Sequence, residues 1–501
     1  MAEDRFESKD VRVLLLWILV GLVGAGVAFK YFFRAFPEAS VDFRVSRAAA
    51  LEVARSFLTA QGHALGAYQS SIVFRVDDDA KTYLEREVGL EQANRLMAQE
   101  VSVWYWDVRF FRPGQKEEFE VRVSPAGRVV GMKHVIEEAR EGGHLEREAA
   151  RAAAEAFLLT RYHADLAGYD FLSEEANPVE RPKRRDWKFT WERRGFRAPP
   201  KPDGAPYRIR VTVQGAQADN CEEFLKVPEA WLRDYERLRS SNIFYEYAAL
   251  VPYVLLNGAL LWALFDFGRR GLIRWRGALK LGGILAVLFF AMFANQLPLA
   301  RAGYDTNTSY AGFFFSRMIL AILLGSGVGL LVAMTTAGGE PLYRRNQPDQ
   351  LRLGALFSLP GIRSKEFFRS CVIGLCFAAA HIGFVVLFYL VGKRFGVWAP
   401  QDINYTNVVS TAIPWIFPLT IGVYAATSEE FLFRLFAIPL LLRFTRSRFL
   451  AVLVPAFVWG FLHSSYPQEP GYIRGIEVGV IGVVAGLIML RWGILATLVW
   501  H

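Results

Sequence analysis

The chain has 501 residues, of which 53% are hydrophobic and 21% are charged, and its formal net charge is +9. Charge is concentrated between about residues 34 and 239, whereas long apolar runs fill the C-terminal half; this is typical of a polytopic membrane protein with one soluble domain. The arginines cluster in short loops beside apolar runs, which indicates membrane topology and excludes a nucleic-acid partner. The three cysteines form neither a CxxC motif nor a disulfide framework.

The first apolar run covers residues 13–29, lies between Arg12 and Lys30, and is just long enough to span a bilayer. A cleaved signal peptide is the alternative, because residues 25–28 are small enough for a cleavage site. Since the run is long and ends in Lys30 and aromatic residues, we predict an uncleaved N-terminal anchor over residues 1–35.

An internal repeat lies in the soluble segment, residues 36–241. The recurring residues, each matched by the same residue type one hundred positions later, are Arg47, Ala49, Ala50, Ala54, Phe57, Leu58, His63 and Ala64. Both copies have the pattern of an Ala-rich amphipathic helix followed by strand-like segments. We therefore predict two tandem α+β modules, about residues 45–140 and 145–240, each a helix on a short antiparallel sheet. They weakly resemble the small PepSY-type domains found outside bacterial membranes.

Strand-like patterns in these modules cover residues 101–111, 119–123, 128–136, 187–191 and 207–213. The basic stretches 181–185 and 193–201 are predicted to be solvated loops. His63 and His163 are interpreted as residues at helix ends near the carboxyl dipole, with metal ligation as the alternative.

Eight apolar segments follow, at residues 243–265, 279–300, 311–337, 371–391, 419–442, 449–465, 475–490 and 493–501. The predicted fold class is a polytopic α-helical membrane protein of about eight to nine transmembrane helices, divided into helices over residues 242–368 and a C-terminal domain over residues 369–501. The last segment is too short to span a membrane, so the C-terminal domain is expected to be cut short.

The loops between these segments alternate in charge. Basic loops lie at residues 269–280, 344–369 and 443–448, and loops poor in Lys and Arg at 305–310, 402–407 and 466–472. By the positive-inside rule the basic loops are cytoplasmic. We therefore expect a multi-pass protein of the cell membrane, with a cytoplasmic N-terminus and residues 36–241 outside the cytoplasm.

Three charged residues, Glu429, Glu430 and Arg434, interrupt the apolar run 419–442. Charged side chains at membrane depth are costly and usually mark a site inside a helix bundle. Glu430 and Arg434 are four residues apart, so they share a helical face and can pair. Glu429 is turned about 100° away and stays free for another partner.

Depth in the membrane links Glu429 to two histidines. At 1.5 Å of rise per residue, Glu429 lies roughly 20 Å from the basic loop that begins at Arg443, and His463 on the next helix lies at a similar depth. His501 lies roughly 13 Å from the predicted cytoplasmic turn near Arg491 and Trp492. Three helices thus bring a carboxylate and two imidazoles to one depth. Sites in the cores of helix bundles are formed in this way, by side chains from facing helices. A carboxylate in this setting suits a general base that takes a proton from water.

This arrangement resembles the CPBP (CAAX protease and bacteriocin-processing) superfamily, which comprises intramembrane proteases related to the type II CAAX prenyl endopeptidase and to bacteriocin-processing and immunity proteins. The first motif, EExxxR, is complete; the second, usually Phe-x-x-x-His, has Trp in place of Phe; the third, usually His-x-x-x-Asn, is represented by its His alone. The matching residues are Glu429, Glu430, Arg434, Trp459, His463 and His501. The resemblance covers about residues 369–501.

The resemblance implies that Glu429 activates the attacking water with His463 as its partner, and that His501 helps to form the oxyanion site. Glu430, Arg434 and Trp459 would have structural roles. Zinc bound by the Glu/His/His set is the alternative; the chain has no HExxH motif, and a mechanism without a required metal is favoured.

The predicted function is therefore an integral-membrane endopeptidase of bacterial origin that acts on a peptide or membrane-protein substrate, with an outer domain that binds a peptide or cell-envelope ligand. One alternative is a non-catalytic CPBP-fold binding or immunity factor. The other is a transporter that couples protons through the buried Glu and Arg, which predicts inverted repeats among the membrane helices; none is visible. His381, alone on an apolar helix, is interpreted as a hydrogen-bonded packing residue.

Overall fold

The computed structural model describes residues 6–36, 41–400 and 405–501. It begins with a long helix, α1 (Ser8–Ala35), which leads into a sheet domain that extends to Val227. The helices of the sheet domain are α2 (Arg47–Ala60), α3 (Asp78–Glu87), α4 (Leu90–Gln99) and α5 (Arg147–Thr160). Its strands are β1 (Gln69–Val76), β2 (Trp104–Phe111), β3 (Glu118–Val123), β4 (Val129–Val135), β5 (Tyr169–Phe171), β6 (Asn177–Arg181), β7 (Arg184–Arg193), β8 (Tyr207–Gln214) and β9 (Gln217–Leu225).

These strands form one antiparallel sheet in the order β1-β2-β3-β4-β9-β8-β7-β5, with β6 paired to β7. The two separate small sheets expected from the repeat are therefore joined, through the pairs Gly131–Glu222 and Met132–Cys221. An exposed strand edge carries unpaired backbone groups, and the pairing of β4 with β9 removes two such edges. The repeated apolar residues serve the common core: Ala50, Ala54 and Leu58 of α2 and Ala150, Ala154 and Leu158 of α5 are all buried.

The strands β2, β3, β4, β7 and β8 lie at the five predicted segments, whereas β1, β5, β6 and β9 were not predicted. The predicted solvated loop 181–185 is wrong, because Arg181 ends β6 and Arg184 begins β7, which leaves only residues 182 and 183 for the turn. Arg184 is only 3% exposed. Its guanidinium donates to the carbonyl oxygens of Glu137 and Arg140 and pairs with Asp186 at 2.9 Å. A basic side chain is buried here because backbone and carboxylate acceptors surround it.

A histidine cluster lies where α2 ends. The ring of His63 packs against Phe119, with centroids 4.5 Å apart, and against His134 at 5.3 Å. Nδ1 of the buried His134 lies 2.6 Å from Asp219. Burial alone would lower the pKa of His134, but hydrogen bonds to Asp219 and to a neighbouring glutamate raise it instead. His63 is thus a packing residue at a helix end, and we assign it no ligand.

The remaining helices form the membrane part. They are α6 (Glu229–Arg269), α7 (Trp275–Asn295), α8 (Leu297–Ala302), α9 (Tyr310–Asn346), α10 (Leu359–Ile362), α11 (Lys365–Gly392), α12 (Thr406–Val409), α13 (Ile416–Glu429), a π-helix (Glu430–Ala437), α14 (Ile438–Thr445), α15 (Arg448–Phe461), α16 (Ile473–Trp492) and α17 (Ile494–Trp500). Within the described residues, six helices are long and apolar enough to cross a membrane: α1, α6, α7, α9, α11 and α16. The predicted eight to nine helices also counted the interrupted stretch 419–442, the shorter α15 and the final segment 493–501.

Glycines set the closest helix contacts in this bundle. A Cβ added at Gly24 of α1 would lie 2.5 Å from Cα of Ala380 in α11, and one added at Gly383 would lie 2.6 Å from Cα of Gly24. In lipid, helices associate through close packing of this kind, because burial of apolar surface supplies no net driving force between them. The anchor α1 is therefore an integral part of the bundle.

We predict that Gly24→Val destabilises the protein by roughly 1–3 kcal/mol, because the new side chain forces α1 away from α11. The matched control is Gly26→Val on the same helix, where an added Cβ meets nothing within 4 Å. Thermal unfolding in detergent measures the difference. Equal midpoints for the two variants would show that α1 does not pack as described.

Candidate active site in the membrane bundle

The helical stretch from Ile416 to Thr445 changes from α- to π-geometry at Glu430 and returns to α-geometry at Ile438. Pro439 lies in the first turn of α14, and its ring nitrogen cannot donate to a carbonyl in the preceding turn. Short π-segments occur frequently at functional sites. Here the π-helix carries Glu430 and Arg434, and Glu429 lies at its junction with α13.

Glu430 and Arg434 form a fully buried ion pair. Arg434 Nη1 lies 3.1 Å from Glu430 Oε1, and the two side chains are 1% and 0% exposed. The guanidinium carbon lies 4.1 Å from the centroid of the Trp459 ring and 6.0 Å from that of Trp500, so two indoles face the cation and offset part of its lost hydration. Nδ1 of His501 lies 2.9 Å from the same Glu430 oxygen. Glu430 thus connects the pair to α17.

Glu429 is held differently. Its Oε2 accepts a hydrogen bond from the indole N–H of Trp459 on α15. Nε2 of His463 lies 3.9 Å from this oxygen, and Nε2 of His501 lies 3.7 Å from it. Both separations are too long for a direct hydrogen bond and suit one bridging water. The Glu429 and His463 side chains are each 27% exposed, so the carboxylate that lacks an arginine partner is also the accessible one.

The protonation pattern of the two imidazoles follows from their other nitrogens. Nδ1 of His463 lies 2.8 Å from the carbonyl oxygen of Trp459, and a carbonyl only accepts, so Nδ1 carries the proton. In the neutral ring Nε2 then presents its lone pair toward Glu429. His501 is fixed in the same way by the Glu430 carboxylate. Both histidines therefore direct Nε2 at the space beside Glu429.

Two cavities meet at this site. A cavity of about 230 Å³ is lined by Glu429 and His463 together with Tyr253 and Asn257 of α6 and Thr335 of α9. These last three residues were not predicted from the sequence, because isolated polar residues in apolar runs belong to no motif. A larger cavity of about 1090 Å³, with mostly apolar lining from α7, α9, α11, α13 and α17, reaches the site at His501. The bundle thus offers a smaller, more polar space beside Glu429 and a larger, mostly apolar space beside His501.

All six residues singled out in the sequence lie within this one site, and His381 lies beside it. His381 Nδ1 accepts the indole N–H of Trp500 at 3.2 Å, in agreement with its interpretation as a packing residue. Trp459 has a larger part than its motif position suggested, because it hydrogen-bonds Glu429 and also covers Arg434.

The donor set does not have the arrangement of a metal site. Among the residues that the structure describes, no group of three or more His, Cys, Asp or Glu side chains is placed to hold a metal ion. The Glu429 oxygen nearest to both imidazoles already accepts the indole N–H. We therefore derive no step that passes through zinc.

The segment that contains this site matches a known protein family. Residues 410–501 match the model of the family described as "Type II CAAX prenyl endopeptidase Rce1-like". The resemblance predicted from the motifs is confirmed. The matched Rce1-like segment contains every residue of the Glu429 site that the motifs identified.

One similar protein is the "Sporulation-killing factor biosynthesis protein SkfC" of Bacillus subtilis (strain 168), with 22% identity over 116 residues. The match spans 23% of this chain and 23% of that protein, so it covers about a quarter of either. No solved structure matches the chain. The family match therefore bears on the C-terminal helices.

We predict that Arg434→Met destabilises the protein by about 3–5 kcal/mol, because it leaves the Glu430 carboxylate buried without its cation. The double variant Glu430→Gln/Arg434→Met should recover part of the loss. Arg443→Met, on the exposed end of α14, is the matched control. Denaturant unfolding in detergent gives the comparison, and a loss no larger than that of the control would show that the pair is not needed.

Proposed function

We propose that this protein is an integral-membrane endopeptidase of the type II CAAX prenyl endopeptidase kind, which hydrolyses a peptide bond with water activated by Glu429. The observation that carries the proposal is the convergence of both imidazole Nε2 atoms on Glu429 Oε2, at 3.9 and 3.7 Å. Because the neighbouring Glu430 is paired with Arg434, Glu429 alone has the freedom to exchange a proton.

In the proposed reaction, a water between Glu429 and His463 gives a proton to the Glu429 carboxylate as its oxygen attacks the peptide carbonyl carbon. The carbonyl electron pair moves to oxygen, and His501, whose Nε2 lies beside Glu429, helps to form the site of this oxyanion. When the C–N bond breaks, Glu429 returns its proton to the leaving amine. Trp459 holds the carboxylate in place throughout.

The site itself supports a membrane-linked peptide substrate. The large cavity that reaches His501 has mostly apolar lining, with Arg274, Arg276 and Glu340 as its charged residues. Its apolar part suits an apolar side chain, a lipid-like group or a hydrophobic peptide segment. The name of the Bacillus relative refers to the biosynthesis of a sporulation-killing factor, which supports a role in processing. We propose substrates that present the scissile bond from within or beside the bilayer.

The same proposal includes an orientation. The sheet domain contacts the bundle at Ala302, Ser410 and Glu469, which lie in or beside loops poor in Lys and Arg. These loops therefore share one side of the bundle with the sheet domain, and the basic loops favour the cytoplasm for the other side.

Accordingly, we expect protease added outside intact cells to cut the exposed turn at residues 201–203 of the sheet domain, and protease added to the outside of sealed inverted vesicles to leave it intact. Fragment sizes on an immunoblot with a C-terminal tag distinguish the two orientations. Cleavage only from the cytoplasmic side would reverse the proposed topology.

For the reaction, Glu429→Gln should lower turnover of a membrane-linked peptide in proteoliposomes by about 10²–10⁴-fold, because the amide cannot accept the proton of water. The matched control is Glu366→Gln near the start of α11, which should retain wild-type turnover. Unfolding midpoints of both variants should stay within a few degrees of wild type. Retained cleavage in Glu429→Gln would remove the assignment and favour a non-catalytic binding protein.

Metal removal gives a separate test. Since the mechanism uses protein groups alone, turnover after extended dialysis against EDTA or 1,10-phenanthroline should equal that of untreated protein, with a zinc protease as positive control. Loss of activity that zinc restores would assign the Glu429, His463 and His501 set to a metal.

A further inference from the structure

The segment before α13, the helix that ends at Glu429, and the segment after α15, which contains His463, are both bonded to the sheet domain. Before α13, the backbone N–H of Phe74 in β1 donates to Ser410 Oγ at 2.8 Å, and Thr406 Oγ1 donates to the Phe74 carbonyl at 2.7 Å. Arg47 Nη1 donates to the carbonyl oxygens of Ser410 and Thr411, each at 3.3 Å. The segment that leads into the Glu429 helix is therefore attached to two elements of the sheet domain.

A second attachment lies after α15. Arg86 Nη2 lies 2.8 Å from Glu469 Oε2, six residues beyond His463. The backbone of Glu469 exchanges two hydrogen bonds of 2.9 Å with Trp398, and the Arg86 guanidinium lies 5.0 Å from the centroid of the Trp398 ring. The loop after α15, which contains His463, is thus fixed to α3 of the sheet domain.

The first attachment completes the sheet. Strand β1 is the terminal strand of the order given above, so within the part of the chain that the structure describes one of its edges has no neighbouring strand. Ser410 and Thr406 satisfy the backbone groups of Phe74 at that edge, and Phe74 and Ser410 are 1% and 0% exposed. A buried backbone group without a partner is costly. The contact is therefore required by the sheet and cannot be released without loss of stability.

Helix α13 connects the segment that makes this contact to Glu429. From Ile416 to Glu429 it is 14 residues long, about 20 Å at 1.5 Å per residue. A displacement of about 1 Å at a reacting group can cost on the order of 100-fold in rate. Attachment of both helices to one rigid sheet thus fixes the separation between Glu429 and His463.

We propose that the sheet domain positions Glu429 and His463 for catalysis, and that Arg47 and Arg86 are its positioning residues. The inference rests on the proposed endopeptidase function for its kinetic readout only. It gives the domain a role in the reaction itself, in addition to any ligand that the domain binds.

The test compares Arg47→Ala and Arg86→Ala with the matched control Arg194→Ala. Arg194 forms a similar pair with Asp170, at 2.6 Å, with both side chains 60% exposed, and it also donates to the carbonyl oxygen of Ala167 in the sheet domain. We expect about tenfold lower kcat with KM changed less than twofold in the first two variants, and no change in the control. The charge reversal Arg86→Glu/Glu469→Arg should restore kcat, which general destabilisation would not explain.

Hydrogen exchange of residues 416–430, measured in the Glu429→Gln background, supplies a readout independent of turnover. We expect faster exchange in Arg47→Ala and Arg86→Ala than in Arg194→Ala. Should Arg47→Ala not fold, Thr406→Val removes only the hydroxyl that bonds Phe74 and takes its place. Exchange and kcat equal to those of the control would overturn the positioning role, whereas changed exchange in a protein without peptidase activity would overturn the proposed function alone.

Discussion

The buried ion pair between Glu430 and Arg434 is the interaction on which the rest of the site depends. A carboxylate inside a membrane bundle must be neutralised or hydrogen-bonded, and Arg434 does this for Glu430 at 3.1 Å. Glu430, paired with Arg434, can then accept a hydrogen bond from Nδ1 of His501 and hold that ring in place. The adjacent Glu429 has no arginine partner and faces both imidazoles. Two consecutive glutamates thus take opposite roles because only one of them meets a cation.

Trp459 connects the Glu430–Arg434 ion pair to Glu429 and His463. Its ring covers the Arg434 guanidinium, its indole N–H bonds Glu429, and its carbonyl fixes the tautomer of His463. Phe at this position could supply the ring and the carbonyl but not the N–H. The substitution of Trp in the second motif therefore adds a hydrogen bond that restricts the carboxylate, and the site is more rigid than the motif alone implies.

Much of the site could be predicted because it depends on helix geometry. A constant rise per residue was sufficient to place Glu429 and His463 at one depth, and their contact in the structure agrees with that estimate. The π-helix could not be predicted, since it depends on Pro439 and on how the turn before it relaxes. Tyr253 and Asn257 line the cavity through tertiary packing, which single polar residues in an apolar run do not reveal.

The sheet domain shows the limits of pattern analysis more clearly. Strand β8 alternates regularly between buried and partly exposed residues and was predicted, whereas β9 was missed because two of its inward residues, Asp219 and Glu223, are acidic. They are buried only because His134 and Arg128 pair with them across the sheet. In β1 the run from Ser71 to Phe74 is buried, since the bundle covers the edge that would otherwise face solvent. Both misses follow from partners distant in sequence.

The central claim is that Glu429 acts on water as a base. A single turnover in H₂¹⁸O measures this most directly, with mass analysis of the new product carboxylate and of the peptide that contains Glu429. The account predicts one ¹⁸O atom in every first-turnover product and none in Glu429, because the attacking oxygen comes from water. Unlabelled first-turnover product together with ¹⁸O in the Glu429 carboxylate would contradict the account, since it would show that the carboxylate itself attacks the peptide.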